Sequence, residues 1–253
     1  MNIFLAESGG VWNAYFKNKN AAGDSLFKGT NILQSFYYCN EFTEKVIIPQ
    51  SKRFMLDSGA FTFFTSGGIN DWDDYIKKYA SFINRNNIDL FFELDIDNLI
   101  GYEKVLYFRQ KLEDLTGKAS IPVWHISRGK DEFIKMCEQY KYVAFGGLNT
   151  DGVPRSTIVK YLPWFVNTAH KHGAKIHGLG FTALKELPRI HFDSVDSTAW
   201  VSGNRFGSVY KFDGKTMVKF DKQQGQRLAN SKAVAIHNFK EWLKFADYAE
   251  KHL

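Results

Sequence analysis

Short apolar runs with strand character recur along the chain, and most are followed by a segment whose apolar residues return every three or four positions. The runs lie at 2–6, 53–56, 90–94, 121–125, 142–145 and 175–179. A seventh falls at 192–196 and an eighth within 208–220, where Asp213-Gly214 between two β-like segments signals a hairpin turn. Helical spacing is clearest at 71–84, where Trp72, Tyr75, Ile76, Tyr79 and Phe82 share a face and aspartates occupy the dipole-favoured first turn. The same period runs through 102–115, 130–140, 156–172 and 231–253, with Gly173 as a C-terminal stop. Short apolar strands separated by crossover helices predict a parallel sheet with its helices outside. About eight such units predict an α/β protein of the closed (β/α)8, or TIM-barrel, type, with residues 1–253 as one catalytic domain. An open doubly wound sheet would need a glycine-rich phosphate turn after the first strand, which Ser8-Gly9-Gly10 does not supply.

Composition narrows the class without changing this picture. A chain of 253 residues, 44% hydrophobic and 24% charged, has enough apolar surface for a sizeable core, which excludes a disordered protein. The net charge of +6 is a mild bias towards polyanions. Cys39 and Cys137 lie far apart and outside any CxxC pairing, so a disulfide framework or thiolate zinc site is excluded. A reducing, cytoplasmic setting is expected. The opening MNIFLAESGG has no basic n-region, and no run approaches the roughly 18 apolar residues of a membrane span, so neither export nor membrane insertion is expected. The aromatic share of 16% reads chiefly as core.

In such a barrel the carboxyl ends of the strands line the mouth, and the chain's unusual residues collect there. The run at 53–56 leads into Asp57-Ser58-Gly59-Ala60-Phe61, and the next ends in Glu93-Leu94-Asp95-Ile96-Asp97. Later runs end in Trp124-His125, Phe145-Gly146-Gly147-Leu148, His177-Gly178-Leu179-Gly180 and Asp193-Ser194-Val195-Asp196-Ser197-Thr198. One carboxylate at a strand end is usually a cap or a loop ion pair; carboxylates at three, with paired glycines at two others, point to a site. Gly146, Gly147, Gly178 and Gly180 would let a flat ligand approach the backbone, and Phe61, Leu148 and His177 could sandwich a planar heterocycle. Asp57, Asp95, Asp97, His125 and Asp196 could hold a divalent metal, but the HxH of many barrel metallohydrolases is missing from the first strand. The inventory favours two carboxylates acting as nucleophile and general acid/base at a glycosidic carbon, with no metal and no cofactor.

These segments resemble the tRNA-guanine transglycosylases and their DNA-modifying relatives that insert 7-deazaguanine bases. Asp57-Ser58-Gly59-Ala60-Phe61 is similar to the family's D-S-G-G-F-Q element, departing at Ala60 and Thr62. Phe145-Gly146-Gly147-Leu148 resembles its G-G-L turn and Gly178-Leu179-Gly180 its G-V-G turn. Phe192-Asp193-Ser194-Val195-Asp196-Ser197 resembles the V-D-M-F-D-C segment carrying the nucleophile. The resemblance covers about residues 53–200 and implies Asp196 as nucleophile and Asp57 as general acid/base. It implies Asp95 as reader of the heterocycle's pyrimidine edge, Gly146 and Gly147 as backbone contacts and Phe61 as a stacking ring. Ser58, His177 and Gly178 join this substrate-binding set, with His125 where the bacterial tRNA enzymes carry glutamine. The family's CxCxxC zinc motif is missing, since no cysteine follows Cys137. That departure turns the comparison towards the compact, phage-encoded DNA-inserting branch. The expected reaction is exchange of guanine in DNA for a 7-deazaguanine such as 7-cyano-7-deazaguanine (preQ0). The alternatives are a tRNA substrate, a base glycosidase or a non-catalytic nucleic-acid-binding barrel. Arg128, Lys130, Arg155 and Arg205 are expected to hold phosphates. A homodimer is a further expectation, and Asp193, three residues from Asp196, should face away from the mouth.

Overall fold

The computed structural model describes residues 1–7, 26–59, 62, 66, 71–146, 153–181, 183–201, 206–223 and 230–253. Eight parallel strands form one sheet: β1 (Asn2–Ala6), β2 (Asn31–Ser35), β3 (Arg53–Asp57), β4 (Leu90–Phe91), β5 (Val123–Trp124), β6 (Tyr142–Phe145), β7 (Lys175–Gly178) and β8 (Ser194–Ser197). Their order is β4-β3-β2-β1-β8-β7-β6-β5. The two ends of that order meet, because Ile121 N–H donates to the Phe91 carbonyl at 2.8 Å and Glu93 N–H to the Ile121 carbonyl at 3.1 Å. The sheet therefore curls round into a barrel, with β4 and β5 as a thin seam.

Strand assignment departs from the sequence expectation at two places. The stretch 208–220 is not a barrel strand. It forms β9 (Val209–Phe212) and β10 (Met217–Phe220), an antiparallel pair apart from the barrel. The hairpin itself is as expected: Asp213 Oδ1 accepts from the N–H groups of Lys215 at 2.9 Å and Thr216 at 2.8 Å, closing the turn. The eighth barrel strand is β2. Its sequence, Asn31-Ile32-Leu33-Gln34-Ser35, has only two apolar residues, and it is a strand because β1 and β3 pair with it on either side.

The helices fall where the period places them: α1 (Trp72–Arg85), α2 (Tyr102–Thr116), α3 (Gly129–Gln139), α4 (Arg155–Lys171) and α5 (Ser231–His252). The Asp71 carboxylate caps α1 by accepting from Asp74 N–H at 2.9 Å. Gly173, at φ +71°, follows α4 as expected. Among the described residues two crossovers carry short helical turns in place of a long helix. Helical turns at Thr43–Ile47 and Ile48–Gln50 join β2 to β3, and the 3₁₀ turn Leu187–Arg189 lies between β7 and β8.

Alternation along the strands divides the apolar residues into two layers. Phe4, Ala6, Leu33, Met55, Phe92 and Val123 pack together inside the barrel. Their neighbours Ile3, Leu5, Ile32, Leu56, Phe91 and Trp124 join the larger core beneath the helices. By the same parity Asp57, His125, Gly146, His177 and Asp196 belong to the inward series, at the carboxyl ends of their strands. The aromatic excess is largely this outer core, as in the cluster of Trp124, Phe133, Phe145 and Phe165 with ring centroids 4.4–5.9 Å apart.

Candidate functional site

Asp196, on β8, is buried at the barrel mouth, 6% exposed. Its Oδ1 accepts from Gly180 N–H at 2.6 Å and faces His177 Nε2 at 3.3 Å. Gly180 adopts φ +62°, a left-handed conformation suited to glycine, and that turn aims its N–H at the carboxylate. His177, fully buried between the rings of Phe4 and Phe92, has Nδ1 2.5 Å from Ser194 Oγ. Ser194 Oγ is in turn 2.5 Å from the Tyr142 hydroxyl. The assignment that satisfies every partner runs Tyr142 O–H to Ser194, Ser194 O–H to His177 Nδ1, and His177 Nε2–H to Asp196. Serine, histidine and aspartate are connected as in a hydrolase triad, but the polarity is reversed: Ser194 is fully buried inside the barrel and the carboxylate is at the mouth. Oδ2 of Asp196 has no partner among the described residues. The hydrogen-bonded chain ends at Oδ1 and leaves that oxygen unengaged.

Asp57 closes β3. Its Oδ2 accepts from Gly59 N–H at 3.2 Å, yet burial, together with the charges of Asp95 and Asp196, pushes its pKa up to about 7. Three carboxyl groups thus converge on one mouth. Asp95, just past β4, meets His125 Nε2 at 2.5 Å. Burial and the Arg128 charge oppose a charged imidazole, but the hydrogen bond and charge of Asp95 prevail and raise the His125 pKa. Gly146 explains how His125 fits, since a Cβ there would lie 2.7 Å from both His125 Cε1 and Val123 Cγ1. Its missing side chain makes room for the imidazole. Ser58 is fully buried, with its carbonyl accepting from Tyr75 O–H at 2.7 Å and its Oγ without a partner among the described residues. Ser35, register partner of Asp57 on the unforeseen strand β2, adds a second hydroxyl with no partner among the described residues.

Several expectations change. Gly178 faces outward, where a Cβ would come 3.0 Å from Phe192 and 3.1 Å from Phe181, so helix-side packing accounts for this glycine. Asp97 does not join the mouth carboxylates; it pairs with Arg128, whose Nε donates to its Oδ2 at 2.6 Å. Arg128 is not a phosphate holder. It is buried, donates to the fully buried Glu93 at 2.8 Å and stacks 4.3 Å from the Tyr102 ring centroid. Arg109 completes the cluster at 2.6 Å from Glu93, whose other oxygen also accepts from Val123 N–H at 2.7 Å. Lys130 lies over Trp164 at 5.2 Å and Arg155 over Phe181 at 6.0 Å. Asp193 faces away from the mouth, as parity requires, accepting from Ile176 N–H at 2.8 Å and lying 2.9 Å from His170 Nε2. Phe61, Gly147, Ala60, Leu148 and Arg205 lie outside the described residues. Among the described residues no group of three or more His, Cys, Asp or Glu is placed to hold a metal ion, so Asp57, Asp95, Asp97, His125 and Asp196 do not form a metal cage.

No family model and no curated protein matches the sequence. Likeness is confined to the fold. The copper homeostasis protein CutC of Streptococcus agalactiae is 13% identical with a TM-score of 0.47, over 78% of this chain and 99% of that one. A structure described as a fructose-1,6-biphosphate aldolase from Coccidioides immitis is 10% identical with a TM-score of 0.48, over 99% of this chain and 89% of that one. The carboxyl transferase domain of Rhizobium etli pyruvate carboxylase is 10% identical with a TM-score of 0.47, over 98% of this chain; this chain spans 48% of that one. No helix of the described residues is long and apolar enough to cross a membrane.

Proposed function

We propose that the protein is a transglycosylase that exchanges guanine in DNA for a 7-deazaguanine base, with Asp196 as nucleophile and Asp57 as general acid/base. The observation that carries this reading is a pair of unlike carboxyl groups at one mouth. Burial and the charges of Asp95 and Asp196 push the pKa of Asp57 up to about 7, while Asp196 is held on one oxygen and has no partner on the other among the described residues. In the first step Asp196 Oδ2 attacks C1′ of a deoxyguanosine, the C1′–N9 bond breaks with its electron pair passing to the base, and the Asp57 proton neutralises the departing guanine. In the second, ionised Asp57 takes the N9 proton of the incoming 7-deazaguanine, whose nitrogen attacks C1′ and releases Asp196. Two inversions retain the β configuration and leave the phosphodiester backbone uncut. Asp95, tied to His125, offers acceptors for the amino and ring N–H groups of a guanine-like edge. The mouth's anionic character suits a sugar and a base and repels phosphate, so the nucleotide must leave the base stack and keep its phosphates at the rim.

The test is to incubate the protein with DNA or tRNA and labelled guanine or 7-cyano-7-deazaguanine. Label should enter DNA with the wild type and not with Asp196→Ala, and the wild type should form an adduct with DNA that survives denaturation. Entry into tRNA alone would move the reading to the tRNA substrate. Full exchange by Asp196→Ala would overturn the nucleophile assignment.

A further inference from the structure

The hairpin β9–β10 stands on a rigid mount. Asn238, fully buried in α5, accepts from Tyr210 N–H at 2.8 Å and donates to the carbonyls of Ser208 at 3.0 Å and Trp200 at 3.2 Å. One turn further on, Glu241 accepts from Phe212 N–H at 2.9 Å. These contacts fix the direction of the hairpin. The Trp200 indole donates to the carbonyl of Ala6 at the carboxyl end of β1, so Trp200 and Ser208 sit at the mouth end of the barrel. β9 then descends along α5, and β10 returns, pairing Phe220 with Val209 and placing Asp221 2.6 Å from Ser208. The open end of the hairpin is therefore on the mouth side, beside the strand that carries Asp196.

That open end is built against the usual pattern of a protein surface. Phe206 is 67% exposed and Phe220 54% exposed, two large rings next to water. Lysines surround them. Lys211, whose register partner Val218 shares a face with Phe220, and Lys219 and Lys222, one residue before that ring and two after it, are exposed. Among them only Lys219 has a carboxylate partner among the described residues, Asp221 at 2.9 Å; Lys215 is in the turn at the far end. The second acid of the hairpin, Asp213, is committed to the turn. The Lys222 stem crosses directly over Gly207, which has φ +76° and no room for a Cβ, 2.4 Å from Lys222 Cδ. A second copy of the chain would bring the same uncompensated lysines against these, whereas a polyanion with π faces matches both the charge and the rings.

We infer that the mouth end of the β9–β10 hairpin is a binding surface for single-stranded nucleic acid. Unstacked bases flanking the target nucleotide lie on Phe206 and Phe220, and their phosphates engage Lys211 and Lys222. This rests on the transglycosylase reading for the identity of the strand, and it supplies cations beside the anionic mouth.

The experiment measures fluorescence anisotropy of a labelled DNA single strand with the full chain across a salt series, alongside the same sequence as duplex. Wild type should bind the single strand more tightly than the duplex. Phe206→Ala with Phe220→Ala should weaken binding by roughly tenfold per ring at an unchanged salt slope. Lys211→Ala with Lys222→Ala should lower the log–log salt slope by about 1.4. Absence of wild-type binding, or wild-type affinity and slope in both variants, would overturn the inference. So would a concentration-dependent dimer in sedimentation that the double phenylalanine variant dissolves, because the rings would then serve a second copy. Asp196→Ala separates the two readings: it should bind the strand as wild type does while losing base exchange, and if it keeps exchange the catalytic reading falls while the binding surface stands.

Discussion

Asp57 illustrates how one residue's environment sets its task. A carboxyl group whose folded-state pKa is raised to about 7 binds more protons in the folded than in the unfolded chain between roughly pH 4 and 7, so stability falls as pH rises through that window. Asp57→Asn should abolish this descent and leave the variant more stable than wild type above pH 7, on the order of 2–4 kcal/mol, measured by chemical denaturation at a series of pH values. Parallel pH dependences of the two proteins would contradict it. The same variant should lose the neutral-pH inflection of the exchange rate. His177 acts on Asp196 from below. His177→Phe keeps a ring of similar bulk but removes the Nε2 donor, and the exchange rate should fall about 10- to 100-fold, the range for a hydrogen bond to a charged group. Nitrogen NMR of His177 should place the proton on Nε2. Gly146→Ala should displace His125, because its Cβ would meet the imidazole at 2.7 Å. Loss of base discrimination would be its readout.

At the scale of elements, the helices could be read from the chain because each carries its apolar period and caps within itself. Asp71 before α1 and Gly173 after α4 are local signals that the structure honours. Strand β2 could not be read in this way. Its polar ends, Asn31 and Ser35, are tolerated because parallel partners on both sides satisfy its backbone, a condition set outside the segment. The hairpin shows the converse. Its turn is local and legible in Asp213-Gly214, but its separation from the barrel depends on Asn238 and Glu241 in α5. Asn238→Ala should leave buried backbone groups of Tyr210, Ser208 and Trp200 without partners, a cost of roughly 2–3 kcal/mol that urea unfolding would measure. Unchanged stability would show that water replaces the amide.

At the scale of the molecule, barrel closure brings residues from separate strands into one mouth. Asp57, Asp95, His125, Gly146, His177 and Asp196 span about 140 positions, and every one is at or just beyond a strand's carboxyl end. Alternating apolar runs and helical periods by themselves determined the (β/α)8 class, five of the helices and the strand ends that line the mouth. Those signals act over a few residues and need no distant partner. Tertiary structure alone decided that β2 enters the sheet and the hairpin does not. It also decided that Arg128 is consumed by Glu93 and Asp97, and that Gly178 packs against Phe192. The inward face of β6 to β8 became a donor chain ending on Asp196. The reason is the same in each case: whether a polar side chain is solvated, paired or aimed at a mouth depends on what the closed barrel puts opposite it, and that neighbour is dozens of residues away in the chain.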